Sequence, residues 1–222
     1  REVQKISSTY VKPLDRYLKD GRVYTNFMHT GTATGRLSSN NPNLQNIPTR
    51  SDLGKKVRDC FVAKEGYSLV SIDYSQIELR LLAHFSEDEA LIEAFNNDED
   101  IHLATAKKLF GQDAKEKRNF AKSVNFGLLY GMGSRKLAAE LGINTKEAKR
   151  IIEDYFASFA SVKSYLGSIE EKAQKDGFVT TIAGRRRYFD FANANAMMQN
   201  AYLRESVNTV FQGSAADLIK KA

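Results

Sequence analysis

Residues 118–131 read RNFAKSVNFGLLYG. Taken in steps of four they give Arg118, Lys122, Phe126 and Tyr130. Four residues is slightly more than one helical turn, so these side chains form a slowly drifting stripe along one face. Phe120, Ala121, Val124 and Leu128 lie on the other side, an apolar strip suited to fixing the helix to a core. No proline interrupts the segment. At roughly 1.5 Å per residue the rise from Arg118 to Tyr130 is about 18 Å. The stripe thus presents two cations and then two rings over the length of an extended nucleoside triphosphate. Cations suit phosphates, and flat rings suit a sugar and a base. The plainer reading is a half-buried amphipathic helix whose cations face solvent. Against it, Gly127 and Gly131 sit beside the two rings, and a helical glycine costs about 1 kcal/mol relative to alanine. Close approach or a bend is therefore expected there.

The 222 residues suffice for one large domain or parts of two, and 42% hydrophobic content supports a sizeable core. A net charge of +6 favours an anionic partner, with nucleic acid ahead of a membrane surface. The single cysteine, Cys60, excludes an internal disulfide framework and fits a reducing compartment; it reads as a small buried hydrophobe. No apolar run approaches the ~20 residues that span a bilayer, and no signal peptide opens the chain. The opening residues have the character of a helix already under way, so a longer parent is expected. No His or Cys pair has zinc-ligand spacing.

Residues 1–20 read as the end of a helix interrupted near Pro13. From Gly21 an alternating stretch, GRVYTNFMHTGTATGRLSS, predicts a β-hairpin with its turn near Gly31. Leu69–Ile72 reads as a buried strand ending at Asp73. Ser75-Gln76-Ile77-Glu78 fits a capping box at the start of the next helix. One or two short helices with acidic starts follow, separated by a solvated turn at 96–100. Beyond the quoted stretch, one helix ends at Gly142 and another begins at Asn144. A third ends at Gly177, and a hairpin turns at Ala183-Gly184. Arg185–Arg187 is a basic cluster suited to phosphates, or equally a solvated hairpin tip. Arg204, Asn208 and Gln212 again step by four, without a neutralising acid among them. Asp217 reads as a local cap or surface charge.

The spacing RxxxKxxxFxxxYG resembles the nucleotide-binding helix of family A DNA polymerases, the bacterial DNA polymerase I group. TATGRLSS, NPNLQNIP and DYSQIELR resemble stretches of the same family in the same order, so the resemblance covers nearly the whole chain. It implies an α+β right-hand polymerase fold: a partial palm with an antiparallel sheet, mostly helical fingers and a remnant of the thumb. The division it implies is 1–20 for the end of the thumb, 21–80 for the first part of the palm, 81–200 for the fingers and 201–222 for the return to the palm.

By the same resemblance, Asp73 and the Tyr74 carbonyl would hold catalytic Mg2+, two ions in the complete enzyme. Arg118, Lys122 and His102 would contact the triphosphate of a dNTP, with Lys122 also serving the pyrophosphate leaving group. Phe126 would pack on the deoxyribose. Glu78 would exclude a ribose 2′-hydroxyl, and Gln76 and Tyr74 would lie beside the nucleotide. Tyr130 would stack at the templating position, with Gly131 leaving room for the base. Arg36, Gln45, Asn46, Arg204, Asn208 and Gln212 would contact primer-template DNA.

The implied partners are primer-template DNA and dNTPs, with no membrane, and the implied protein is a monomer. It would work in bacterial cytoplasm or in an organelle with a bacterial-type polymerase. The family's second metal-binding Asp lies in a His-Asp-Glu motif that this sequence does not contain, so the 222 residues alone are expected not to catalyse. The rival reading is a non-catalytic, nucleic-acid-binding helical module. Phe126 lacks a hydroxyl that could stand in for a sugar 3′-hydroxyl, so the polymerase reading predicts strong discrimination against dideoxynucleotides. Competition between deoxy- and dideoxynucleotides in primer extension by the longer parent protein checks it, and near-equal use of both would contradict it.

Overall fold

The computed structural model describes residues 1–49 and 51–222. They divide into two compact units, Arg1–Tyr74 and Ser75–Ala222. In the first unit, α1 (Glu2–Ile6) passes through one π turn (Ser7–Val11) into α2 (Lys12–Arg16). The wide turn comes just ahead of Pro13, which has no N–H to donate and whose ring crowds the preceding turn. β1 (Leu18–Lys19) and β2 (Arg22–Val23) then pair antiparallel across Asp20 and Gly21, whose φ values are 51° and 72°. An Asp-Gly pair with both φ values positive makes the tight hairpin turn that matches strand twist. This hairpin ends the helix earlier than residue 20.

The second ladder joins β3 (Asn26–Met28) to β4 (Ser38–Asn40), with Phe27 opposite Ser39 and Gly31 in the connection, as the alternating pattern predicts. α3 (Asp52–Asp59) starts at Ser51, whose side chain accepts from the Gly54 N–H. Ile6, Tyr10 and Val57 form a small core, and the Tyr10 hydroxyl donates to the Asn46 carbonyl at 2.6 Å. Cys60, expected to be buried, is exposed beyond the last turn of α3. The strand expected at Leu69–Ile72 does not form: Leu69, Val70 and Ile72 are 71%, 78% and 90% exposed. A strand needs a neighbour to take its N–H and C=O groups, and no described strand pairs with this run.

The second unit is mostly helical. Its elements are α4 (Ile77–Ser86), α5 (Glu89–Asn96), α6 (Ile101–Phe110), a 3-10 turn (Gly111–Ala114), α7 (Arg118–Leu129), α8 (Ser134–Leu141), α9 (Thr145–Ser158) and α10 (Ala160–Asp176). The hairpin β5 (Phe178–Thr180) and β6 (Arg186–Tyr188) and the long α11 (Ala196–Lys221) complete it. The acidic helix starts are caps. Asp88 accepts from the Leu91 N–H, and Asp100 from the N–H groups of His102 and Leu103. Asn144 caps α9 through the Glu147 N–H. Gly142 and Gly177 end α8 and α10 in left-handed geometry. The expected capping box at Ser75 is absent: Gln76 is the N-cap, with φ 47°, and no side chain caps the helix.

The core is built from Leu79, Leu82, Leu91, Val124, Leu129, Leu137, Tyr155, Phe159, Val162 and Phe211. It is closed by α11, whose stretch from Ser206 to Asp217 is buried nearly all round. Small residues at Gly213, Ser214, Ala215 and Ala216 let α11 sit inside the unit. Asp217, expected to be a cap or surface charge, is 6% exposed. It accepts from the Thr181 hydroxyl and, at 2.7 Å, from Arg185 in the β5–β6 connection. Arg187 donates to Glu205 and to Thr209. Two of the three arginines in the basic cluster therefore tie the hairpin to α11, leaving Arg186 exposed.

Burial works to raise the Asp217 pKa, but the bonds from Thr181 and Arg185 outweigh it and hold the carboxyl below its ordinary value. A depressed carboxyl stabilises the fold above its unfolded value of 3.8 and loses that share as pH falls through the lower folded value. Asp217→Asn is expected to cost about 3 kcal/mol at neutral pH by leaving Arg185 uncompensated. It should also lose less further stability than the parent below pH ~4. Urea unfolding at pH 7 and pH 3 measures both effects.

Candidate functional site

α7 carries the stripe predicted for it. Ala121 and Val124 have 0% exposure and Leu128 has 5%, so that side of the helix is fixed against α6 and α8. On the other side Lys122 is exposed, while Arg118, Phe126 and Tyr130 are half-buried. Each of these three has a partner, so the stripe is less bare than the sequence suggests. Arg118 Nε donates to the Asp100 carboxylate at 2.5 Å. The Phe126 ring lies 5.6 Å from that of His102. Tyr130, the residue that ends α7, donates its hydroxyl to Glu78 on α4.

That last bond is what Glu78 does in place of capping α4. Glu78 is 8% exposed, and the Tyr130 hydroxyl supplies the hydrogen bond that a buried acceptor needs. Gln76 is half-buried at the start of the same helix. His102 is 2% exposed, and its Nδ1 lies 3.1 Å from the Asn125 amide nitrogen. Burial lowers its pKa, and the Arg118 and Lys122 charges lower it further against the opposing pull of Asp100. Asp100 closes the exposed turn at 96–100, and there it also caps α6 and holds Arg118. Burial alone would raise its pKa, yet the Arg118 hydrogen bond and charge, with the Leu103 and His102 N–H groups, keep it below the usual carboxylate value.

A second cluster adjoins the end of α7. Arg204, Asn208 and Gln212 line one shallow groove of about 440 Å³ with Tyr130, Ala201 and Glu205. Gly131 has φ 68°, and a Cβ built on it would come 2.8 Å from Arg204 Cγ. Glycine is required there twice over, by conformation and by space. Asn208 Oδ1 is buried without a partner, an unanswered acceptor in the wall of that groove. Glu205, not singled out from the sequence, also lines the groove, and its charge is answered by Arg187.

The remaining predicted site residues lie in the first unit. Arg36, Gln45, Asn46, Asp73 and Tyr74 are all exposed there. Asp73 sits in the irregular run that follows Leu69–Ile72. Among the described residues no three His, Cys, Asp or Glu side chains converge in a group able to hold a metal ion. One Asp and a neighbouring carbonyl fall short of a two-ion clamp, which needs more than one carboxylate. Asp73 and the Tyr74 carbonyl would supply only part of such a site. Asn125 and Thr105 are functional candidates missed in the sequence. The one signal was a polar residue at a position of α7 that turns toward the core.

DNA polymerase family A matches residues 1–222 of the chain. DNA polymerase I of Helicobacter pylori is 55% identical over 223 residues, covering 99% of this chain and 25% of that protein. The thermostable DNA polymerase I of Thermus filiformis is 48% identical over 229 residues, covering 100% of this chain and 28% of that protein. The POL domain of Pol1 from M. smegmatis, in complex with DNA primer-template and dNTP, superposes with a TM-score of 0.91 at 43% identity. That match covers 99% of this chain and 40% of the other. The chain spans about a quarter of the length of the curated relatives it matches.

The Gly131 geometry has a direct test. Gly131→Ala puts a Cβ into left-handed backbone, at about 1–2 kcal/mol, and forces the Arg204 stem to move. Urea unfolding should show a loss of that size, and Arg204→Ala in the same background should recover the part due to crowding.

Proposed function

The chain belongs to DNA polymerase family A, and from that membership we propose that its parent protein is a template-directed DNA polymerase that transfers a deoxynucleotide to a primer 3′-hydroxyl and releases pyrophosphate. The fold is the α+β right-hand polymerase fold, helix-rich with small antiparallel ladders. One observation carries the reading: the α7 face sets a guanidinium, an ammonium and two rings in the order of the triphosphate, sugar and base of a nucleotide.

In this reading Arg118 and Lys122 take the triphosphate, and Lys122 neutralises the departing pyrophosphate. Charge neutralisation and positioning are most of what phosphoryl transfer asks of a protein. Arg118 comes to the phosphates from Asp100, exchanging one anion for another. Phe126 supports the deoxyribose, and Gln76, Tyr74 and His102 are further contacts of the nucleotide. Glu78, held by the Tyr130 hydroxyl, stands where a ribose 2′-hydroxyl would come. Tyr130 and Gly131 meet the templating base. Arg204, Asn208 and Gln212, with Arg36, Gln45 and Asn46, follow the primer-template, where Arg and Gln can serve acceptors common to all base pairs in the minor groove. That suits an enzyme blind to sequence.

The family is metal-dependent. We assign Mg2+ as the ion, with Asp73 and the Tyr74 carbonyl as this chain's share of its ligands. The proposed division is thumb end at 1–20, first palm segment at 21–80, fingers at 81–200 and return to the palm at 201–222. No helix among the described residues is long and apolar enough to cross a membrane. A monomer in bacterial cytoplasm, or in an organelle with a bacterial-type polymerase, fits the reading.

Titration of the chain with a dNTP tests it. Binding should saturate, and Lys122→Ala should weaken it about 10- to 100-fold, the worth of a charge-assisted phosphate contact. A dNTP affinity unchanged by Lys122→Ala, with primer-template binding retained, would favour a non-catalytic nucleic-acid-binding module.

A further inference from the structure

The buried polar network between α6 and α7 determines the protonation of His102. Thr105 has one hydroxyl proton and two acceptors in reach, the Ile101 carbonyl at 2.8 Å and Asn125 Oδ1 at 3.2 Å, and the shorter contact takes it. Thr105 Oγ1 is left with lone pairs, and the Asn125 amide nitrogen donates to them at 3.1 Å. The second proton of that nitrogen is directed to His102 Nδ1, also at 3.1 Å. A ring nitrogen that accepts carries no proton, so the imidazole proton resides on Nε2. His102, Thr105 and Asn125 are 2%, 0% and 1% exposed, which keeps water from substituting for any of these bonds.

Nε2 has no partner among the described residues, and it is not one of the two side-chain atoms buried without one. The small exposed part of His102 therefore includes this nitrogen. We propose that Asn125, braced by Thr105, is a positioning residue that fixes His102 as the neutral Nε2–H tautomer, so that the ring meets an anionic substrate oxygen as a directed donor and not as a cation. The substrate half of this statement rests on the reading of His102 as a triphosphate contact.

The charges facing the ring agree with it. Asp100, at the start of α6, would favour an imidazolium, but Arg118 already engages it. Arg118 and Lys122, on α7, both oppose a third positive charge. The two permanent cations supply the charge, and the imidazole supplies direction. A contact of this kind keeps its strength as pH rises through the range where an imidazolium would be lost.

Long-range 1H–15N correlation spectra of the 222-residue chain, with 15N-labelled histidine, test the proposal. The chain has three histidines, and His102 is assigned by the signals that vanish in His102→Gln. The expected result is the Nε2–H pattern for His102 at pH 8 and at pH 7. An Nδ1–H pattern, or a protonated ring at pH 7, overturns the proposal from the parent chain alone, so a variant that fails to fold cannot rescue it.

Asn125→Asp replaces the amide donor with an acceptor. It should switch His102 to the Nδ1–H form and raise its titration midpoint by about one pH unit or more. An unchanged tautomer and midpoint in that variant would also overturn the assignment. Addition of dATP should shift the His102 Nε2 resonance. An unmoved resonance under saturating dATP would defeat the phosphate contact and leave the tautomer assignment intact.

Discussion

A helix can hold cations and rings toward a polyanion only if the rest of its surface is anchored, and on α7 that anchoring is nearly complete. Ala121 and Val124 are fully buried, and Leu128 and Leu129 nearly so. Their burial removes apolar area from water at roughly 25 cal/mol per Å². It also fixes the rotation of the helix about its axis. With α7 turned by one residue's step, about 100°, Lys122 would enter the core and Val124 would leave it. The exposed side therefore inherits its geometry from the buried one. Arg118, Lys122, Phe126 and Tyr130 need no further device to share a face.

Polar groups near this core are arranged so that few carboxylates stand alone. Glu78 has the Tyr130 hydroxyl, Asp100 has Arg118, Glu205 has Arg187, and Asp217 has Thr181 and Arg185. Each pair joins segments distant in sequence. Breaking one would leave a charge without its counterpart, which costs more than the pair gains in forming. The consequence is specificity of arrangement: α4 is registered on the end of α7 through the Glu78–Tyr130 bond, and the β5–β6 hairpin is registered on α11 through the bonds to Glu205, Thr209, Ser214 and Asp217. The groove beside Gly131 is held between these attachments.

Elements with a local signature were legible in the sequence. The α7 stripe, the glycine stops at 142 and 177, the Asn144 cap and the hairpin at Gly184 all follow from neighbours within a few residues. Features set by distant partners were not legible. Ser75 to Glu78 has the spacing of a capping box, but a tyrosine 52 residues from Glu78 claims its carboxylate. Asp217 looks like a surface charge until Arg185 is brought to it. His102 looks like a lone imidazole, and its surroundings depend on Asn125, 23 residues away. Leu69–Ile72 has the composition of a strand, but composition supplies no hydrogen-bonding neighbour. The family resemblance names candidate site residues that periodicity alone does not, because family position encodes long-range contacts that spacing does not.

The bare run from Tyr67 to Ile72 has a consequence for the chain as a material. It reads YSLVSI, with no proline, no glycine and no charge; beyond Tyr67, whose N–H donates to the Lys64 carbonyl, it joins no described strand and exposes its apolar side chains. That is the composition of a segment that stacks with copies of itself. The net charge of +6 keeps dilute molecules apart, but added salt shortens the reach of that repulsion to about a nanometre. In concentrated, salty solution these six residues are therefore where self-association is expected to begin.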